Sequence, residues 1–193
     1  MGNDKSENEV KIRLYPSDPF PQALAAAGFH ESSPRVFESN TIYDTPDHRL
    51  RTAGTLLRLR ELADLSGTPI KAVLTWKGVA APGPHKNRPE AETQVDSASV
   101  LSRILAELGF VPVFRYEKYR TEFGRNDAGV VTYDETPVGR FLELEGPPEW
   151  IDQTAAQLGF GPDRYILESY GRLYLLDCQA RKIAPGHMVF SAS

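Results

Sequence analysis

The charged residues of this chain best suited to chemistry fall in pairs two positions apart: Glu7 and Glu9, Arg58 and Arg60, Glu90 and Glu92, Lys118 and Arg120, Glu143 and Glu145. Lys11, Arg13, Lys77, Arg88 and Asp134 extend the set. Carboxylates are hard oxygen ligands suited to magnesium or manganese, whereas guanidinium and ammonium groups donate to phosphate oxygens. Together the two signs point to phosphate chemistry better than either alone. A metal ion can polarise a phosphoryl group while cations offset the charge developing on it. No serine or cysteine sits in a pattern that marks an activated nucleophile.

A spacing of two is the side-chain period of a β-strand, so the elements that must carry these groups are strands. Between the charges lie apolar residues of the opposite face, as in Glu7 to Leu14, where Val10, Ile12 and Leu14 alternate with Glu9, Lys11 and Arg13. On an open sheet such charges face water and form surface ion pairs. In a closed sheet covered by helices they line the lumen instead, and acidic and basic groups compensate one another there.

Alternation predicts further strands near 35–43, 55–62, 70–76, 88–96, 112–123, 129–134 and 139–145. Helices are expected over 18–28, capped near Asp18 and closed by Gly28, and over 97–108, 148–158 and 163–176. The stretch Gly78–Asn87, rich in Gly, Pro and Ala, reads as a loop. Eight strands with few helices imply an antiparallel α+β domain rather than βαβ units.

The chain has 193 residues, enough to bury a core as one domain over 1–193. Its 22 Lys and Arg against 26 Asp and Glu give a net charge of -4, which disfavours a diffuse nucleic-acid or membrane surface but permits a local basic site. One cysteine, Cys178, excludes an internal disulfide, and the scattered His30, His48, His85 and His187 do not space as zinc ligands. With no apolar run of spanning length and a polar, acidic start, a cytoplasmic location is expected.

The ordered series ENEVK, IYDTPDHRL, TLLRLRE, LTWKG, RPEAETQV, YEKYRTEF, VVTYDETPVGRFLELEG and ESYGRLYL resembles the CYTH superfamily over nearly the whole chain. These triphosphate tunnel metalloenzymes include class IV adenylate cyclases, thiamine triphosphatases and inorganic triphosphatases. ENEVK matches the family's Glu-x-Glu-x-Lys motif at Glu7, Glu9 and Lys11, while Leu173-Tyr174 departs from the family's SYxxLL ending.

The resemblance implies an eight-stranded antiparallel closed β tunnel with external helices, holding Mg2+ or Mn2+. It implies metal contacts from Glu7, Glu9, Glu92, Asp134, Glu143 and Glu145, and substrate contacts from Lys11, Arg13, Arg58, Arg60, Lys77, Arg88, Lys118 and Arg120. Glu9, Lys11, Asp134, Glu143 and Glu145 would carry the catalysis; Asp134 would hold a second metal, orient water or support a lysine. The implied activity is hydrolysis of an inorganic or organic triphosphate. The alternatives are cyclisation of ATP to cyclic AMP and pyrophosphate, or binding of polyphosphate without turnover. The expected partner is a small triphosphate or polyphosphate, with no nucleic acid or membrane; external helices leave a homodimer open. Trp76 is expected either to stack on an organic ring or to pack on the outer wall.

Overall fold

The computed structural model describes residues 5–125 and 128–191, with side chains described from Asn8 onward. Eight strands form a closed antiparallel barrel: β1 (Lys5–Leu14), β2 (His30–Asp44), β3 (Leu56–Ala63), β4 (Pro69–Lys77), β5 (Lys86–Val95), β6 (Val111–Gly124), β7 (Val130–Thr136) and β8 (Gly139–Glu145). Around the barrel the order is β1-β5-β4-β3-β2-β6-β7-β8. β1 closes the ring, pairing with β5 from Lys5 to Glu9 and with β8 from Glu9 to Leu14. The lower rim is where β1 starts and β8 ends; the upper rim is where β1 ends.

Closure sends the two faces of each strand to different solvents. Val10, Ile12, Leu14, Val131, Leu142 and Leu144 point outward and are buried under α1 (Gln22–Ala26) and α4 (Pro148–Gln157), against Leu24, Trp150, Ile151, Ala155 and Leu158. On the other side α3 (Ala98–Glu107) sets Leu101 and Leu105 against Tyr43, Leu59 and Ala72. The apolar core is thus a sleeve between barrel and helices, and the alternate residues are left facing inward.

Two walls need the C-terminal region to complete them. Above Glu9, where β1 has left β5, Lys11 and Ile166 exchange backbone hydrogen bonds of 3.0 and 2.8 Å. The upper half of β6 extends beyond β7, and there Met188 donates to Arg115 and accepts from Glu117 at 3.0 and 2.9 Å. Between these additions runs α5 (Tyr170–Arg181), the last helix of the chain's described residues, while a short α2 (Arg49–Thr52) follows β2 at the upper rim. α5 packs Tyr170 and Leu173 with Tyr116, Phe141 and Met188 as an apolar plug.

Two expected helices are shifted, each by identifiable local chemistry. The helix expected over 18–28 shrinks to α1 because Pro19 and Pro21 cannot donate to an interior turn. Asp18 caps no helix; its carboxylate accepts from the Tyr15 amide at 2.7 Å and from Arg164 at 2.9 Å. The helix expected over 163–176 divides into a single 3-10 turn at Pro162–Arg164 and α5, which starts only after Ser169 caps the Arg172 amide at 3.3 Å. β5 begins at Lys86, so the loop is shorter than 78–87.

Candidate functional site

The inward face of the barrel encloses a cavity of about 1610 Å³ that runs from Glu145 and Pro147 at the lower rim to Phe114 and Arg172 at the upper rim. Its walls are charged because four strands contribute residues at period two: Glu9 and Lys11 from β1, Arg58 and Arg60 from β3, Lys118 and Arg120 from β6, Glu143 and Glu145 from β8. Lys77, Arg88 and Glu92 complete the wall on β4 and β5.

At the centre the Lys11 ammonium lies 3.0 Å from Glu9 Oε1 and 3.0 Å from Glu143 Oε1. Lys86 also donates to Glu9, and Arg120 to Glu143. Burial alone would favour the neutral acids, but Lys11, followed by Lys86 for Glu9 and Arg120 for Glu143, holds both carboxyls far below the usual range. Burial likewise opposes the Lys11 charge, and Glu143 and Glu9 outweigh it, raising that ammonium's pKa above its ordinary value. Lys86 is different: burial, then repulsion by Lys11, outweighs Glu9 and brings it down to about 8.

Behind this layer Asp134, fully buried, is saturated with donors. Arg120 binds both its oxygens at 2.7 Å, Lys118 reaches Oδ2 at 2.9 Å, and the Tyr170 hydroxyl donates to Oδ2 at 2.7 Å. Glu38 on β2 stands between Lys118 at 3.5 Å and Arg60 at 3.6 Å. Burial raises its pKa, but Lys118, Arg120 and Arg60 prevail and lower it to about 2. Nearer the lower rim one oxygen of Glu92 accepts from Thr75 at 2.6 Å, Arg60 at 3.0 Å and Arg58 at 3.3 Å. Lys77 pairs with Glu90 at 2.7 Å.

Most of the residues singled out in the sequence therefore face one cavity. Asp134 stands behind the wall, and Arg13 turns away from the cavity to bond the Val138 carbonyl at 2.7 Å beneath the Phe141 ring. Glu7 is opposite Arg88 in the β1–β5 ladder, and its side chain lies outside the described residues. Trp76 is exposed on the outer face of β4, away from the cavity. Three participants went unread: Lys86, Glu38 and Tyr170. Lys86 continues the alternation of Arg88, Glu90 and Glu92 upstream into the Gly- and Pro-rich stretch, and Glu38 has no second charge two residues away on β2. Tyr170 comes from a helix, so no strand spacing marks it.

Glu9, Glu143 and Glu145 supply a donor set that fits a hard divalent cation: carboxylate oxygens, with Glu145 two residues beyond Glu143 and opposite Glu9 in the ladder. Among the described residues no three His, Cys, Asp or Glu side chains gather closely enough to hold an ion. Lys11 occupies the position between Glu9 and Glu143.

A family model described as the CYTH domain matches residues 5–158. Among solved structures, a protein from Vibrio parahaemolyticus described as a candidate adenylate cyclase aligns at a TM-score of 0.72 with 21% identity, covering 88% of this chain and 97% of its own. The PH1819 protein of Pyrococcus horikoshii aligns at 0.74 with 22% identity over 89% and 99%. A candidate adenylyl cyclase from Hippeastrum, described as having a dominant triphosphatase activity, aligns at 0.57 with 18% identity over 93% and 97%. These likenesses are ones of fold. No curated protein matches the sequence.

Proposed function

The chain belongs to the CYTH domain family, the triphosphate tunnel metalloenzymes, whose members act on triphosphates, and from this premise we propose that it is a divalent-metal-dependent triphosphate hydrolase. The observation that carries the reading is the Lys11 ammonium held between two ionised, buried carboxylates within a wall of further cations. A chain of phosphates offers the negative oxygens that Lys11, Arg58, Arg60, Lys77, Arg88, Lys118 and Arg120 would bind. Glu9, Glu143 and Glu145 would hold magnesium or manganese, which when bound polarises the phosphoryl group.

The protein's own groups do the rest. Arg120 and Lys118, fixed by Asp134, present donors that need no reorganisation as charge builds on the phosphoryl oxygens. Glu145 is exposed where Glu9 and Glu143 are buried, so the acidic group straddles the border between tunnel and water at the lower rim. That is where an attacking water would enter. The dominant triphosphatase activity described for the Hippeastrum protein is in line with hydrolysis, and the description of the Vibrio protein with cyclisation.

One observation favours the cyclase reading. Toward the upper rim Ile42, Leu50, Phe114 and Leu175 add apolar surface to the cavity wall beside His48, Arg51 and Arg172, a surface suited to an organic group carried by the triphosphate. Incubation with tripolyphosphate, thiamine triphosphate and ATP, each with magnesium, manganese or a chelator, and with products resolved by phosphorus NMR, separates these activities. Metal-dependent orthophosphate release is the expected result. Cyclic AMP with pyrophosphate would replace hydrolysis by cyclisation, and binding without product would leave a polyphosphate-binding module.

A further inference from the structure

We infer that Tyr170 is a positioning residue that fixes the two central ammonium groups for triphosphate binding, an inference that rests on the triphosphate reading of the cavity. The Nζ atoms of Lys11 and Lys118 each lie 5.3 Å from the centre of the Tyr170 ring. These lysines come from β1 and β6, whereas the ring between them comes from α5, outside the barrel. The ring lines the cavity, and its edge is braced by Phe141 at 5.4 Å in a T-shaped contact and by Tyr116 at 6.2 Å.

The hydroxyl and the ring meet at one cation, Lys118. Tyr170 donates to Asp134 Oδ2, the oxygen that also accepts from Lys118 and Arg120. Its negative π face attracts both ammonium groups without neutralising them, since a neutral ring forms no ion pair that phosphate must break. Carboxylates on the same lysines hold them more strongly but compete with phosphate for their protons. Tyr170 therefore confines Lys11 and Lys118 while leaving their charge available to an anion. Docking of α5, seated by the Ser169 cap and by Leu173, becomes a condition for a fully assembled phosphate site.

The test compares wild type, Tyr170→Phe and Tyr170→Leu for tripolyphosphate affinity by calorimetry without metal, and for KM and kcat with metal. Phe keeps the ring and should stay within about threefold of wild type, because Asp134 retains Lys118 and Arg120; Leu fills space without a π face and should weaken affinity and raise KM about tenfold with a smaller change in kcat. Fluorinated phenylalanines at position 170 provide a series of nearly constant size, in which affinity should fall as ring charge is withdrawn. Leu at the affinity of Phe, or no trend with fluorination, overturns the inference. Wild type that binds tripolyphosphate but releases no phosphate removes the hydrolase reading alone, and wild type that does not bind it removes both.

Discussion

Arg120 grips Asp134 with a parallel pair of hydrogen bonds, Nε to Oδ1 and Nη2 to Oδ2, each 2.7 Å long. With Lys118 and Tyr170 also on Oδ2, the carboxylate is enclosed by donors and has no face toward the cavity. Its chemistry is to aim cations. Asp134→Asn keeps the shape but replaces an acceptor oxygen with a donor nitrogen facing Lys118 or Arg120. We expect a loss of about 3 kcal/mol in stability and a markedly higher KM for triphosphate, with the metal concentration for half-activation unchanged. A shift in metal activation equal to that of Glu143→Gln would return Asp134 to the metal ligands.

Glu143 and Glu145 share the inward face of β8 but meet different surroundings. Glu143 is buried among Lys11, Lys118 and Arg120, whereas Glu145 is exposed at the rim. Glu143→Gln and Glu145→Gln should each lower metal-dependent turnover, by about 100-fold or more. Only Glu143→Gln should also lower the unfolding temperature, because it leaves buried cations with less compensating charge. Full activity of both variants at saturating metal would remove the pair from the active centre.

Glu92 occupies donors that a phosphate would want. A single oxygen collects Arg58, Arg60 and Thr75, much as a phosphoryl oxygen would. If a triphosphate binds these arginines, it must displace the carboxylate. Glu92→Gln should therefore tighten metal-free tripolyphosphate binding about 3- to 10-fold, as the charge competing for both guanidinium groups is lost. Calorimetry reads this directly, and weaker binding by the variant would show that Glu92 assists rather than competes.

Alternating charge revealed most of the barrel because closure preserves a period of two around all eight strands, even though it inverts which face is dry. Val10, Ile12 and Leu14 could be placed under helices from that pattern, and Glu9, Lys11, Arg120 and Glu143 in the lumen. Arg13 has the right parity but lies where the lumen is filled by Phe141 and Val138, a limit set by the plug rather than by the strand. Glu38 was hidden because no second charge stands two residues away on β2. Tyr170 depends on where α5 starts and what it is packed against, neither of which is encoded in strand alternation.

Stability in acid should report on the interior of the barrel. Glu38 is buried and its pKa is lowered from 4.5 to about 2, with burial opposed by Lys118, Arg120 and Arg60. Because the folded value is depressed, the unfolded chain binds the proton first: the contribution is complete above about pH 4.5 and disappears as pH falls toward 2. Against burial, Glu9 and Glu143 are lowered in the same direction by Lys11 and its cationic neighbours, and their contribution is likewise lost as pH falls. Chemical denaturation between pH 7 and pH 2.5 should show wild type losing stability below pH 4.5, with Glu38 responsible for on the order of 3 kcal/mol. Glu38→Gln should be less stable at pH 7 and flatter across this window. A variant with the same slope as wild type would show that Lys118 and Arg60 are balanced by other carboxylates and that Glu38 carries no charge-dependent share of the fold.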